Sequence, residues 1–69
     1  MKLLDVVALV EDFPQHSLFR GQVGTVVETL SPNVFEVEFS DDQGQAYAVV
    51  PLPEEQLLVL HYHRLTEAA

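Results

Sequence analysis

The sequence contains no cysteine and no tryptophan, and only three of its 69 residues are lysine or arginine. A chain without cysteine can form neither a disulfide nor a thiolate metal site, which fits a reducing cytoplasm. Phosphate groups are bound by clustered lysine and arginine, so the scarcity of basic residues argues against nucleic acids and anionic membranes as partners. We therefore expect a cytoplasmic protein that binds neither of them.

Long apolar runs are also missing, since none approaches the about 20 residues that a membrane-spanning helix needs. Asp5 interrupts the apolar start of the chain, so we expect residues 1–5 not to form a signal peptide. Eleven acidic residues give a formal charge of −8, and this acidity favours either solubility, as a solvated acidic surface, or docking to a basic protein surface. The hydrophobic fraction of 48% is too high for a disordered acidic tail, so the chain is expected to fold as one domain.

The pattern of the chain predicts five short β-strands. Its clearest segment is 34–39, where three apolar side chains, Phe35, Val37 and Phe39, alternate with two glutamates. Alternation with a period of two is typical of a half-buried antiparallel strand. Further strands are predicted over 5–10, 25–30, 45–50 and 57–63. Prolines at 51 and 53 are expected to stop the fourth strand, and Glu54-Glu55 to begin one short helical turn before the last one.

Five short strands separated by turns favour a closed or nearly closed barrel, because closure removes exposed strand edges. We predict an all-β fold with a single domain over residues 1–62, followed by a C-terminal tail over 63–69.

The segment Gly21-Gln22-Val23-Gly24-Thr25-Val26-Val27-Glu28 resembles SH3-like barrels of the KOW type. The chain as a whole, over roughly residues 1–62, resembles a family of very small bacterial proteins, common in cyanobacteria, that is known as DUF4926 and has no assigned function. The resemblance implies a small five-stranded SH3-like barrel, and it brings no catalytic residues. KOW modules bind RNA or protein through basic loop residues, whereas the loops of this chain carry Glu11, Asp12, Asp41 and Asp42.

The longest stretch without a strand pattern is 11–22, and it contains large apolar side chains. Two interpretations are open: these side chains cap the core, or they are exposed together beside an acidic rim and form a protein interface. Arg20 is expected to form an ion pair with Glu11 or Asp12. The candidate interaction residues on this loop and on the strand beside it are Phe13, His16, Leu18, Phe19, Arg20 and Tyr47.

The leading hypothesis is a non-catalytic protein-interaction module without a cofactor, which binds a basic protein surface. Such a module would suit the neutralising half of a toxin–antitoxin or immunity pair, or a small accessory subunit. One alternative is a structural homo-oligomer built through the strand at 57–60, whose leucines lie on both faces and must be covered by Leu3-Leu4 or by a second copy.

A second alternative is a metal-binding protein, since His61 and His63 share one face of a strand and His16 is the third histidine. We expect neither the histidines nor the carboxylate pairs of this chain to act in catalysis. The carboxylate pairs Asp41-Asp42 and Glu54-Glu55 are explained by turn formation and by the electrostatics of a helix start.

Overall fold

The computed structural model describes residues 1–61, which form one antiparallel sheet and two short 3₁₀ turns. The strands are β1 (Val6–Leu9), β2 (Val23–Ser31), β3 (Val34–Ser40), β4 (Ala46–Pro53) and β5 (Leu57–Val59). One 3₁₀ turn, Pro14–His16, lies in the loop after β1, and the other, Glu54–Gln56, joins β4 to β5. The prediction of an all-β chain with five strands and a helical turn before the last is confirmed. The predicted tail over 63–69 lies outside the described residues.

The strand order across the sheet is β4-β3-β2-β1-β5. In a flat sheet four strand spacings of about 4.8 Å would separate β4 from β5 by about 19 Å. The chain nevertheless passes from Pro53 to Leu57 through a single 3₁₀ turn, which rises only about 2 Å per residue. The sheet must therefore bend strongly. The likeness to SH3-like barrels in particular stays a prediction.

Two irregularities on β2 help to supply this bend. The pairing with β3 shifts by one residue between Val26 and Glu28, and again between Thr29 and Ser31. Val27 and Leu30 are therefore extra residues without a partner on β3. Such bulges increase the local twist and bend the strand that carries them.

The inner face of the curved sheet holds the core, and the alternation on β3 is confirmed: Phe35, Val37 and Phe39 are buried. Their glutamate neighbours lie on the outside of the sheet. Gly24 of β2 lies against this core, where a Cβ atom would come within 2.7 Å of Val37 Cγ1 and 2.9 Å of the Glu38 carbonyl oxygen. The close approach of β2 and β3 thus depends on the missing side chain. The remaining core residues are Val7, Leu9, Leu18, Val26, Val50, Leu52 and Leu57.

The prediction that the prolines end the fourth strand is wrong, because β4 continues through Pro53. The backbone N–H of Glu54 donates to the Asn33 carbonyl, and this bond determines which alternate residues of β4 are hydrogen-bonded to β3. In this arrangement Leu52 and Val50 bond to β3, while Pro51 and Pro53 turn their backbone towards the free edge. No ladder bond is lost, since β4 is an edge strand and a proline is tolerated where no N–H is needed.

The outer face of the sheet is divided into two halves. The apolar half lies on β5, β1 and the start of β2, and no residue of it is charged. The acidic half lies on β3 and on the parts of β2 and β4 beside it. We define the apolar half as Val6, Ala8, Val10, Val23, Leu58 and Leu60, and the acidic half as Thr25, Glu28, Glu36, Glu38, Val49 and Pro51.

Candidate protein-interaction surface

The loop after β1 folds back onto the core. Phe13 and Leu18 form an isolated antiparallel bridge, in which each backbone N–H donates to the carbonyl of the other residue, at 2.7 and 3.1 Å. The turn closes through Ser17, which takes a left-handed conformation at φ 57°. Leu18 is completely buried, and Phe13 is half-buried against the core. Phe13 and Leu18 therefore cap the core, which is the first of the two interpretations of this loop.

This placement corrects one candidate residue, because Leu18 has no exposed surface with which to contact a partner. Phe19 turns the other way, and half of its side chain is exposed. The reason is the bridge between Phe13 and Leu18: the residue after a bridged position points away from the side that Leu18 buries.

Gln22 connects the loop to the edge strand β4. Its side-chain oxygen Oε1 accepts the backbone N–H of Phe19, and its Nε2 donates to the hydroxyl oxygen of Tyr47 at 2.9 Å. One half-buried amide therefore links the loop backbone at Phe19 to the hydroxyl group of Tyr47. No local pattern in the sequence marks Gln22, since its role depends on a contact with a residue 25 positions away.

Tyr47 reaches this end because it is the extra residue of a bulge. Phe39 pairs with Ala48, whereas Ser40 pairs with Ala46, so Tyr47 has no partner on β3. Its ring lies 6.5 Å from the ring of Phe39, and its other side is exposed. A bulge commonly redirects a side chain in this way, and here it directs Tyr47 towards the end of the core.

The turn between β3 and β4 places carboxylates beside Tyr47. Asp41 Oδ1 accepts the backbone N–H groups of Gln43 and Gln45 at 2.9 and 3.0 Å, which fixes the turn, while Asp42 is exposed. An open depression lies between this turn and the tyrosine, lined by Ser40, Asp41, Asp42, Gln43 and Tyr47. We call the exposed group of Phe19, Gln22, Tyr47, Asp41 and Asp42 the loop-end surface.

Two candidate residues lie elsewhere on the loop. His16 is exposed, with its ring 5.9 Å from the ring of Phe13. Arg20 contacts Asp12, but through its backbone N–H, which donates to Asp12 Oδ1 at 2.9 Å. The expected ion pair is replaced by this backbone contact. The carboxylate of Asp12 thus fixes the backbone of the loop, and Arg20 itself is exposed.

The histidine hypothesis receives no support from residues 1–61, where no group of three histidine, aspartate or glutamate side chains could hold a metal ion. His63, one of its members, lies outside the described residues. Within the same range no helix is long and apolar enough to cross a membrane.

The family model described as "Domain of unknown function (DUF4926)" matches residues 3–59. This chain belongs to the DUF4926 family. The match spans all five strands, so the family and the fold coincide. Neither the curated proteins nor the solved structures include a match to the chain.

Proposed function

We propose that this DUF4926 protein is a non-catalytic interaction module that binds a basic surface of another protein through its loop-end surface. The observation that carries the proposal is the double hydrogen bond of Gln22, which links the backbone of the loop at Phe19 to the hydroxyl of Tyr47, next to the acidic turn at Asp41. An exposed aromatic side chain that is already held in place, as Tyr47 is by this bond, loses little conformational entropy when it binds.

The chemistry of the surface suits lysine and arginine side chains. A cation above the face of a tyrosine ring gains about 0.5–1 kcal/mol at an exposed site, and more where water is excluded. Asp42 stands beside the ring as an exposed carboxylate, and the formal charge of −8 would attract a basic partner over a longer range. Tyrosine is also enriched among the residues that dominate binding energies at protein interfaces.

Binding rather than catalysis is supported by the state of the polar groups. Asp41 Oδ1 accepts two backbone N–H groups, and both polar atoms of the Gln22 side chain are hydrogen-bonded. These bonds give both side chains a positioning role in the turn and the loop, and an amide is neither a general acid nor a general base. The cysteine-free sequence supports a cytoplasmic setting, and the neutralising half of a toxin–antitoxin or immunity pair is a role that fits.

Selection of peptides from a random display library against the immobilised protein tests the proposal. We expect the bound peptides to be enriched in lysine and arginine, and their affinity to fall as salt is added. Amide chemical shifts in the NMR spectrum should change at Phe19, Gln22 and the turn 41–45 when a selected peptide is added.

Tyr47→Ala should weaken the selected peptides by about tenfold, which corresponds to about 1.4 kcal/mol. Val49→Ala is the matched control, because Val49 lies on the same strand with a similar exposed fraction, 47% against 50% for Tyr47. Equal effects of the two variants, or selection of acidic peptides, would refute the proposed site.

A further inference from the structure

We propose that a second copy of this chain docks on the apolar half of the outer face, forming a weak symmetric dimer. Three side chains dominate this half: Leu58 is 55% exposed, Val23 46% and Val10 39%. The proposal is independent of the basic partner, since the loop-end surface contains none of these residues.

The exposed side chains belong to a continuous surface. Ala8 of β1 pairs with Val23 on one side and with Leu58 on the other, so the three residues form one row across three hydrogen-bonded strands. Neighbouring strands lie about 4.8 Å apart, and side chains that are directly opposite on one face touch each other. The row is therefore a preformed, rigid strip rather than a set of scattered leucines and valines.

The first residues of the chain do not cover this strip. Leu3 and Leu4, which the sequence analysis considered as a cover for the last strand, are themselves 57% and 74% exposed. They form the tip of a turn in which the Asp5 N–H donates to the Lys2 carbonyl at 3.1 Å. Leu57, the neighbour of Leu58, is buried on the inner face, so β5 contributes to the core through Leu57 and not through Leu58.

Charge decides which partner fits the strip. A basic protein gains most at surfaces with carboxylates, which the apolar half lacks and which the acidic half and the loop-end surface supply. Two copies with a formal charge of −8 each repel one another, and the repulsion is least where both contacting surfaces are uncharged. The apolar half meets this condition, and a two-fold axis through it brings identical apolar strips together. Of these two partners, a second copy is the one that the charge distribution of the apolar half favours.

The association should be weak. Stable specific interfaces bury about 800 Å² on each partner, whereas only three side chains of the apolar half expose a large part of their surface. We expect a dissociation constant between about 10 μM and 1 mM. Salt should strengthen the dimer, because it screens the repulsion between two acidic chains, whereas it should weaken the binding of a basic peptide.

Sedimentation equilibrium on the full chain, from about 10 μM to about 2 mM and with up to about 0.5 M NaCl, tests the proposal. The expected result is an average mass that rises from the monomer towards the dimer with concentration, and further with salt. NMR spectra of the unaltered chain over the same range should show shifts at Ala8, Val23 and Leu58, which makes the test independent of any variant. A constant monomer mass at the highest concentration and salt would overturn the proposal.

Leu58→Glu and Val49→Glu form a matched pair of variants. Both side chains lie on the outer face with similar exposed fractions, 55% and 47%, and each change adds one negative charge. We expect Leu58→Glu to weaken the dimer by more than about tenfold, and Val49→Glu, on the acidic half, to leave it within about twofold. Equal weakening by both variants would show a general effect of charge and would overturn the assignment of the interface to the strip.

Discussion

The two halves of the outer face lie on the same sheet and above the same core, yet they have opposite characters. In the apolar half the row Leu58, Ala8 and Val23 crosses three strands without a charge. In the acidic half Glu28 pairs directly with Glu36, and Glu38 follows two residues later on the same strand. Stability comes from the inner side chains in both halves, so the outer side chains are free to differ. The difference between the halves is therefore informative about association rather than about folding.

The strongest test of this comparison uses two adjacent residues of β5. Leu57→Ala removes a buried side chain and should lower the free energy of unfolding by about 2–5 kcal/mol. Leu58→Ala removes an exposed one and should change it by less than about 0.5 kcal/mol. Urea unfolding at low micromolar concentration, where the monomer prevails, measures both. A loss above about 2 kcal/mol for Leu58→Ala would mean that the apolar half is part of the core, and the comparison would fail.

The next effect concerns the strand that the two halves share. Gly24→Ala would place a Cβ atom 2.9 Å from the Glu38 carbonyl oxygen, and backbone atoms cannot move away cheaply. We expect a loss of about 1–3 kcal/mol in the free energy of unfolding. Gly44→Ala is the control for the loss of a glycine. Nothing lies within 4 Å of its added Cβ, but an alanine there would have to adopt the left-handed conformation, since φ is 81°. It should cost about 1 kcal/mol. A smaller loss for Gly24→Ala than for Gly44→Ala would contradict the close approach of β2 and β3.

A smaller effect, of opposite sign, is expected at the turn before β1. Leu4 has a φ of 70°, which places it at the left-handed position of the Lys2–Asp5 turn, where glycine or asparagine is preferred. Leu4→Gly should therefore raise the free energy of unfolding by up to about 1 kcal/mol, as a thermal unfolding curve would show. Dimerisation should be unchanged in sedimentation. A weaker dimer would show that Leu4 also contributes to the dimer interface. A lower melting temperature would contradict the backbone strain at Leu4.

The smallest effect lies in the acidic half. Glu36→Lys would replace the like-charge pair with Glu28 by an opposite pair, and should raise the free energy of unfolding by about 0.5 kcal/mol. Glu36→Gln removes the repulsion without adding an attraction, so its gain should be smaller. Both gains should shrink in about 0.5 M NaCl. A gain that salt does not change would show that packing, rather than charge, distinguishes the two halves.

Local patterns in the sequence predicted the core of this fold well. The alternation from Phe35 to Phe39 determines which face of β3 is buried, and it needs no information from other strands. Pro51 was misread because the effect of a proline depends on whether its strand lies at an edge, which only the strand order determines.

The candidate site was predicted less completely. Phe19 and Tyr47 are both predicted interaction residues, with the burial of Phe19 left open, but the two hydrogen bonds that link them pass through Gln22, far from Tyr47 in the chain. The bulge that directs Tyr47 depends on the register between β3 and β4, and side chains alone do not specify it. The division of the outer face also depends on strand pairing, which places Ala8 between Leu58 and Val23.

The prolines of β4 have a consequence for how far such sheets can grow. Strands of separate molecules join through free backbone N–H and C=O groups, and repeated joining of this kind produces fibres. At the β4 edge Pro51 and Pro53 offer no N–H at two successive outward positions. These two prolines therefore oppose the pairing of a further molecule along the β4 edge, so this edge is a poor template for the growth of a fibre.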